Sequence, residues 1–196
     1  MSNAERNITI YTDEELMSIV MERNTKGLKV LYDRYYRSIF NFILRYTNNR
    51  EISEDILQET FTRVWYASHL FNPDKGSFKT WLFTIGINIT RNEMTKKRYD
   101  YQYIEMDDIT EQNEICGKSD DEPVGDIIDY SDLKDTIAKA LERLNPFLRE
   151  VVILKHYHML KFSEISEITN TPEGTLKARF HNAVIQLRKL LQTAEF

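Results

Sequence analysis

The sequence is poor in cysteine, glycine and proline, and each shortage excludes a class of protein. The single cysteine, Cys116, excludes an internal disulfide framework and favours a reducing compartment, the cytoplasm. Six glycines and four prolines in 196 residues argue against an all-β fold with many tight turns. No apolar run approaches the roughly 20 residues that span a bilayer. No basic-then-apolar leader opens the chain, so we expect neither a membrane span nor a secretory signal.

The net charge of −5 is distributed unevenly. Residues 100–132 hold twelve Asp and Glu and one Lys, so that segment alone carries −11. The other residues hold 25 Lys and Arg against 19 Asp and Glu and carry +6, of which +3 falls on residues 1–99 and +3 on residues 133–196. Two mildly basic ends are therefore joined by a strongly acidic middle, and the average does not exclude a nucleic-acid partner.

Apolar residues recur at three- and four-residue steps along both ends of the chain, which predicts an all-α fold. Thr12 and Glu15 form a capping-box pattern in front of a helical segment that runs to about Tyr46. The pair Asn48 and Asn49 breaks that segment. Further helices are expected from Ser53, over FKTWLFTIGINITRNEMTKKR, and from Asp132 to the end.

The acidic middle of the chain separates the two helical ends. Residues 100 to about 130 combine a run of acids with Gly117, Pro123 and Gly125, and their scattered apolar side chains bury too little surface to fold alone. The predicted organisation is a helical domain at 1–99, an acidic flexible linker at 100–131 and a smaller helix-turn-helix domain at 132–196.

The stretch FSEISEITNTPEGTLKARFHNA predicts two short helices joined by a tight turn. Asn170 ends the first, Thr171 is the expected cap of the second, and Pro172 suits the first helical position, where its missing N–H costs nothing. The second helix is amphipathic, with an expected inner face of Leu176, Phe180, Ala183, Leu187 and Leu190.

The opposite face of that second helix carries small and hydrogen-bonding groups flanked by cations. Such a face suits a DNA major groove, with Lys177 and Arg179 on phosphates and Thr175, Ala178, His181 and Asn182 at base edges. A plain helical hairpin with a solvated polar face explains the same pattern.

Two segments of the N-terminal end carry further candidate sites. Asp55, Gln58 and Glu59 share the outer face of one helix, which suits either docking on a basic protein surface or simple solvation. The helix from Phe78 combines aromatic residues with cations, a mixture that binds single-stranded nucleic acid. Its aromatic residues, Trp81 among them, are equally explained as core residues, and its final basic run as a complement to the helix dipole.

These segments together resemble one family. The segment SEDILQETFTRVW, followed by FNPDKGSFKTWLFTIGINITRNEMTKKR, resembles the second region of extracytoplasmic-function sigma factors of bacterial RNA polymerase. The segment LNPFLREVVILKHYHMLKFSEISEITNTPEGTLKARFHNAVIQLRKLL resembles their fourth region. Two blocks in the family order, separated by a variable connector, are more specific than either block alone.

The resemblance implies an alternative sigma factor that binds core RNA polymerase and promoter DNA and is controlled by an anti-sigma factor. The face of Asp55, Gln58 and Glu59 matches the part that docks on the clamp coiled coil of the polymerase, and the acidic connector matches a segment in the RNA exit path. The implied minus-ten contacts are Lys79, Asn88, Arg91, Lys96, Lys97 and Arg98. The implied minus-thirty-five contacts are Thr171, Glu173, Gly174, Thr175, Lys177, Ala178, Arg179, His181 and Asn182.

The chain departs from the family pattern in both blocks. Where relatives often carry His-Arg-Ala-Arg, this sequence has His181-Asn182-Ala183-Val184, and it has Gly86-Ile87-Asn88 in place of Ala-Arg-Asn. Three expected cations are therefore absent. Weak contacts at each end suffice if polymerase holds both domains on one DNA, because linkage raises the effective concentration of the second site.

No catalytic or metal-binding pattern is present. His156 and His158 are two residues apart, which is the wrong spacing to share a helix face, Cys116 has no partner, and no glycine-rich phosphate loop occurs. We therefore expect no enzyme, metal, cofactor or small-molecule substrate. Two other functions fit the helical pattern: a dimeric helix-turn-helix transcriptional regulator and a helical adaptor. A regulator binds a palindromic operator alone, whereas a sigma factor needs core polymerase.

Overall fold

The computed structural model describes residues 8–104 and 130–193, with side chains at 8–96 and 135–192. Every regular element within those residues is helical, which confirms the all-α prediction. The acidic segment, including Cys116, lies mostly outside the described residues. In chain order the α-helices are α1 (Asp13–Met21), α2 (Thr25–Thr47), α3 (Arg50–Tyr66), α4 (Phe78–Ile104), α5 (Tyr130–Glu142), α6 (Pro146–Val152), α7 (Phe162–Thr169) and α8 (Glu173–Thr193).

Side-chain caps explain where several of these helices begin. The Thr12 hydroxyl accepts from the Glu15 N–H at 3.2 Å, and the Glu15 carboxylate accepts from the Thr12 N–H at 2.7 Å, so the predicted capping box is present. Asn49 caps α3 by accepting from the Ile52 N–H at 2.9 Å. The helix therefore begins before the predicted Ser53, because the cap lies four residues earlier.

The turn before α8 differs from the prediction by one residue. Asn170 ends α7 in the left-handed conformation at φ 49°, as expected. The Thr171 hydroxyl, however, donates to the Thr169 carbonyl oxygen at 3.2 Å, and the Leu176 N–H bonds to the Pro172 carbonyl oxygen at 3.1 Å. The predicted cap at Thr171 is wrong, because its side chain completes the end of α7 and α8 begins at Glu173.

Helices α1 to α4 form the N-terminal unit, in which α2 packs against α1, α3 and α4. Gly27 permits a close approach of α1 and α2, since a Cβ at that position would lie 2.8 Å from the Leu16 carbonyl oxygen of α1. The side chains of Phe42, Phe78 and Phe83 are fully buried in its core. This core fixes the outward faces of α3 and α4.

Helices α5 to α8 form the C-terminal unit, in which α8 packs against α5, α6 and α7. A π-helical turn, Ile153–Tyr157, joins α6 to the segment before α7. The two units are packed together: α4 contacts α7, and α2 contacts the π-helical turn. A continuous apolar core joins them, with Leu154, Leu160 and Ile165 in the same cluster as the interior of the N-terminal unit.

Candidate nucleic-acid and polymerase interface

The outer face of α3 holds the three side chains predicted to dock on polymerase. Asp55, Gln58 and Glu59 are all exposed, and the buried side chains Ile56 and Leu57 fix the orientation of the helix. Glu59 forms an ion pair with Arg63 one turn later. The structure thus places all three residues on one open, net acidic surface.

A groove with six aromatic residues in its lining lies beside this acidic face. It occupies about 830 Å³ between α2 and α3. Arg50, Glu54 and Gln58 contribute polar groups to its wall. An aromatic groove next to charged groups is typical of protein-binding surfaces. Its aromatic lining consists of Tyr32, Tyr36, Phe40, Phe61, Trp65 and Tyr66.

Helix α4 places its predicted minus-ten residues in two different environments. Asn88 and Lys96 are exposed, whereas Lys79 and Arg91 are partly buried beside the C-terminal unit. The side chains of Lys97 and Arg98 lie outside the described residues. The predicted contacts therefore do not form one open surface in this arrangement.

The aromatic residues at the start of α4 are packing residues. Phe78 is fully buried, and the half-buried Trp81 lies 5.4 Å from Phe71 between ring centroids. Of the two interpretations offered by the sequence, the core interpretation is the one that these contacts favour.

The recognition surface predicted on α8 is exposed. Leu176 and Ala183 are buried on the inner face, as the periodicity predicts. Arg179 is partly buried, with its guanidinium 4.9 Å from the centre of the Phe147 ring of α6. Thr171 lies in the turn before the helix and is half-buried. The exposed members of the predicted set are Glu173, Gly174, Thr175, Lys177, Ala178, His181 and Asn182.

An ion pair between the two units engages one of the predicted DNA contacts. The Arg91 guanidinium donates to both carboxylate oxygens of Glu150, with Nε–Oε2 at 2.8 Å and Nη2–Oε1 at 2.7 Å. The Glu150 side chain is 2 % exposed and that of Arg91 is 28 % exposed. Burial opposes the charged form of Arg91, but the hydrogen bond and charge of Glu150 outweigh it and raise the pKa of Arg91.

A second arginine reinforces the contact between the units. Arg149 donates to the Tyr46 carbonyl oxygen of α2 at 2.7 Å and to the Leu141 carbonyl oxygen of α5 at 2.9 Å. Burial lowers the pKa of this arginine. Burial, together with the negative charge of Glu150, raises the pKa of Tyr46 to about 12. Arg149 thus links backbone atoms of both units.

A partly buried histidine lies in the same contact. His158 lies between the rings of Phe42 and Phe83, at 6.0 and 5.2 Å between centroids, and its Nδ1 is 3.3 Å from the Ser38 hydroxyl. Its Nε2 is buried without a hydrogen-bond partner. Burial, followed by the positive charges of Arg45 and Lys79, lowers the pKa of His158 from 6.5 to about 4. The imidazole is therefore neutral at physiological pH.

Sequence reasoning missed the residues that join the two units. It excluded a shared helix face for His156 and His158, and it assigned nothing to Glu150 or Arg149. One signal was available: Glu150 stands beside Leu148, Val151 and Val152, and an acid on an apolar stripe needs a cationic partner. The identity of that partner depends on tertiary structure.

Within the described residues, no group of His, Cys, Asp and Glu is arranged to hold a metal ion. Among the residues that the structure describes, no helix combines the length and the hydrophobicity that a membrane span needs.

Comparisons with known proteins identify both ends of the chain. Residues 31–99 match the model of Sigma-70 region 2, and residues 134–187 match that of Sigma-70, region 4. The ECF RNA polymerase sigma factor SigW of Bacillus subtilis is 32 % identical over 167 residues, which are 83 % of this chain and 87 % of SigW. The ECF RNA polymerase sigma factor SigL of Mycobacterium tuberculosis is 28 % identical over 165 residues, which are 84 % of this chain and 89 % of SigL.

Solved structures support the fold. The sigma factor RpoE in complex with the anti-sigma factor NepR from Bartonella quintana matches with a TM-score of 0.70 at 23 % identity, over 87 % of this chain and 99 % of that chain. CnrH in complex with the cytosolic domain of CnrY matches with a TM-score of 0.68 at 20 % identity, over 93 % and 99 %. Since this chain is 32 % identical to SigW over 83 % of its own length and 87 % of that of SigW, it belongs to the family of ECF RNA polymerase sigma factors.

Proposed function

We propose that this protein is an alternative sigma factor that binds core RNA polymerase and directs it to promoters for transcription initiation. The observation that carries this function is the pair of sigma regions 2 and 4 in one chain, in that order, in a member of the ECF family. The dimeric helix-turn-helix regulator is not favoured, because nothing in its function requires a region 2.

The proposed division of labour follows the three segments of the chain. Residues 1–99 bind core polymerase and the minus-ten element, residues 132–196 bind the minus-thirty-five element, and the acidic linker at 100–131 occupies the RNA exit path. About one in every three residues of the linker is acidic. This charge supports its placement in the RNA exit path, because a polyanion suits a channel that binds RNA.

The polymerase contact is assigned to α3. Asp55, Gln58 and Glu59 form an exposed acidic surface that suits a basic coiled coil. Charged residues at the edge of a protein interface chiefly govern the association rate and its dependence on salt.

The DNA contacts are assigned to α4 and α8. On α8, Lys177 and Arg179 bind phosphates, and the exposed Thr175, His181 and Asn182 meet base edges, with Thr171, Glu173, Gly174 and Ala178 alongside. On α4, Arg91 binds the promoter strand together with the other assigned residues: Lys79, Asn88, Lys96, Lys97 and Arg98.

The protein performs no covalent chemistry in this account. Promoter opening is driven by binding energy that favours the unpaired strand. We place the protein in the cytoplasm, where a sigma factor meets polymerase.

We also propose an anti-sigma protein as a regulatory partner. The basis is that two structures with similar folds contain a second bound chain. RpoE is in complex with the anti-sigma factor NepR, and CnrH is in complex with the cytosolic domain of CnrY. The aromatic groove beside α3 is a surface that such a partner would compete for with polymerase.

The test of the polymerase contact is equilibrium binding to purified core enzyme. Charge reversal at Asp55 and Glu59 should weaken binding by roughly tenfold or more, since like charges then face each other. Reversal at Glu22, an exposed acid at the end of α1, is the matched control and should leave binding unchanged. If reversal at Glu22 weakens binding as much as reversal at Asp55 and Glu59, α3 is not the docking site.

A further inference from the structure

We propose that the two units of the free protein lock each other, with Glu150 of the C-terminal unit occupying the anion-binding side of Arg91 and so withholding it from DNA. This inference rests on the proposed role of Arg91 in promoter binding. It adds an inhibitory contact within the chain to that role.

The geometry of the ion pair gives it the form of a substitute ligand. Arg91 uses Nε and Nη2, two parallel donors of its guanidinium, toward the two oxygens of Glu150. A bidentate arginine binds a carboxylate and a phosphate through the same edge. The Glu150 carboxylate and a DNA phosphate therefore cannot both occupy that edge.

The burial of the pair makes it more than a surface contact. Exposed ion pairs contribute little to stability because water screens them. Glu150 is almost fully buried, so separating the pair in place leaves an uncompensated charge in the interior. Release of Arg91 therefore requires the two units to move apart, which exposes Glu150 to water.

The surroundings of the pair extend the contact beyond one arginine. Lys79, a second assigned DNA contact, is near enough to His158 for its charge to affect that histidine. Arg149 bonds to the Tyr46 carbonyl oxygen, and the Arg45 guanidinium lies 4.4 Å from the centre of the Tyr157 ring. The contact between the units thus engages Arg91 and lies near Lys79, whereas Asn88 and Lys96 are exposed.

The experiment measures shape and DNA affinity on the full chain without polymerase. Small-angle X-ray scattering gives the radius of gyration, and fluorescence anisotropy with labelled mixed-sequence single-stranded DNA gives the affinity. The test variant is Glu150→Gln, which keeps the side-chain shape and removes the charge. The matched control is Glu167→Gln, which removes one charge from an exposed position of the same unit.

The lock predicts that Glu150→Gln expands the chain and tightens DNA binding about tenfold or more relative to Glu167→Gln, because a masked site binds in proportion to its open fraction. A double exchange, Arg91→Glu with Glu150→Arg, should restore the compact shape and keep DNA affinity low, because the pair re-forms and the cation of α4 is gone. If circular dichroism shows that Glu150→Gln perturbs the fold, Arg91→Gln takes its place in the scattering experiment. It breaks the same pair from the other unit and should also expand the chain.

Two results would overturn the inference. If all single variants stay as compact as the wild type and bind DNA equally, the pair does not hold the units together. If Glu150→Gln expands the chain but binds DNA no better than Glu167→Gln, the pair does not mask a DNA contact. Neither result bears on sigma activity, which transcription with core polymerase measures separately on the wild-type chain.

Discussion

Acidification should lower the free energy of unfolding through His158, which lies in the contact between the two units. In the folded chain the pKa of this histidine is about 4, against 6.5 in the unfolded chain. Between those values the unfolded chain binds a proton that the folded chain does not. Stability is therefore fully present above the unfolded pKa and is lost progressively as the pH falls toward the folded pKa.

The size of this loss follows from the shift. Each pKa unit corresponds to about 1.4 kcal/mol between the two protonation states. Going from about pH 8 to about pH 5 should then lower the free energy of unfolding by about 2 kcal/mol. Burial beside Phe42 and Phe83 disfavours the charged imidazole, and so do the nearby positive charges of Arg45 and Lys79.

The assay is urea denaturation at a series of pH values, followed by circular dichroism. His158→Gln should flatten the stability profile between those pH values, because the group whose proton uptake differs is gone. His156→Gln is the matched control, since His156 lies two residues earlier, inside the π-helical turn, and is exposed. A wild-type profile that is flat over this range, or a slope that survives in His158→Gln, would show that His158 is not the group responsible.

Two further predictions concern packing and the recognition helix. Gly27→Ala should lower the free energy of unfolding by about 1–3 kcal/mol, because the new Cβ meets the Leu16 carbonyl oxygen, whereas Gly174→Ala meets no neighbour and should not destabilise. Thermal denaturation measures both, and equal effects would remove the close approach as the cause. Alanine at both Lys177 and His181 should weaken binding to the upstream promoter element by roughly tenfold while leaving core binding intact. Footprinting with holoenzyme checks this, and loss of core binding would contradict it.

The sequence predicted most of what depends on local patterns. The inner face of α8 and the break at Asn48 follow from periodicity and capping, and both are present. The helical stretch from Asp13 to Tyr46 is interrupted at Arg23, which adopts φ 62°, and no composition signal marked that point. Local rules therefore located the helices better than their exact ends.

What the sequence did not predict depends on contacts between distant residues. Arg91 and Glu150 are 59 positions apart, and Ser38 and His158 are 120 apart. The packing of the two units decides whether a charged or polar side chain faces water or the other unit. The periodicity of apolar residues in the sequence does not predict that packing. For this reason Arg91 was predicted as an open contact and is found in an ion pair.

The most direct test of sigma function is run-off transcription with purified core polymerase and candidate promoter templates. We expect core enzyme with this protein to produce a promoter-dependent transcript, and core enzyme or this protein alone to produce none. Failure to stimulate initiation on any template, with a protein that is folded and binds core enzyme, would contradict this expectation.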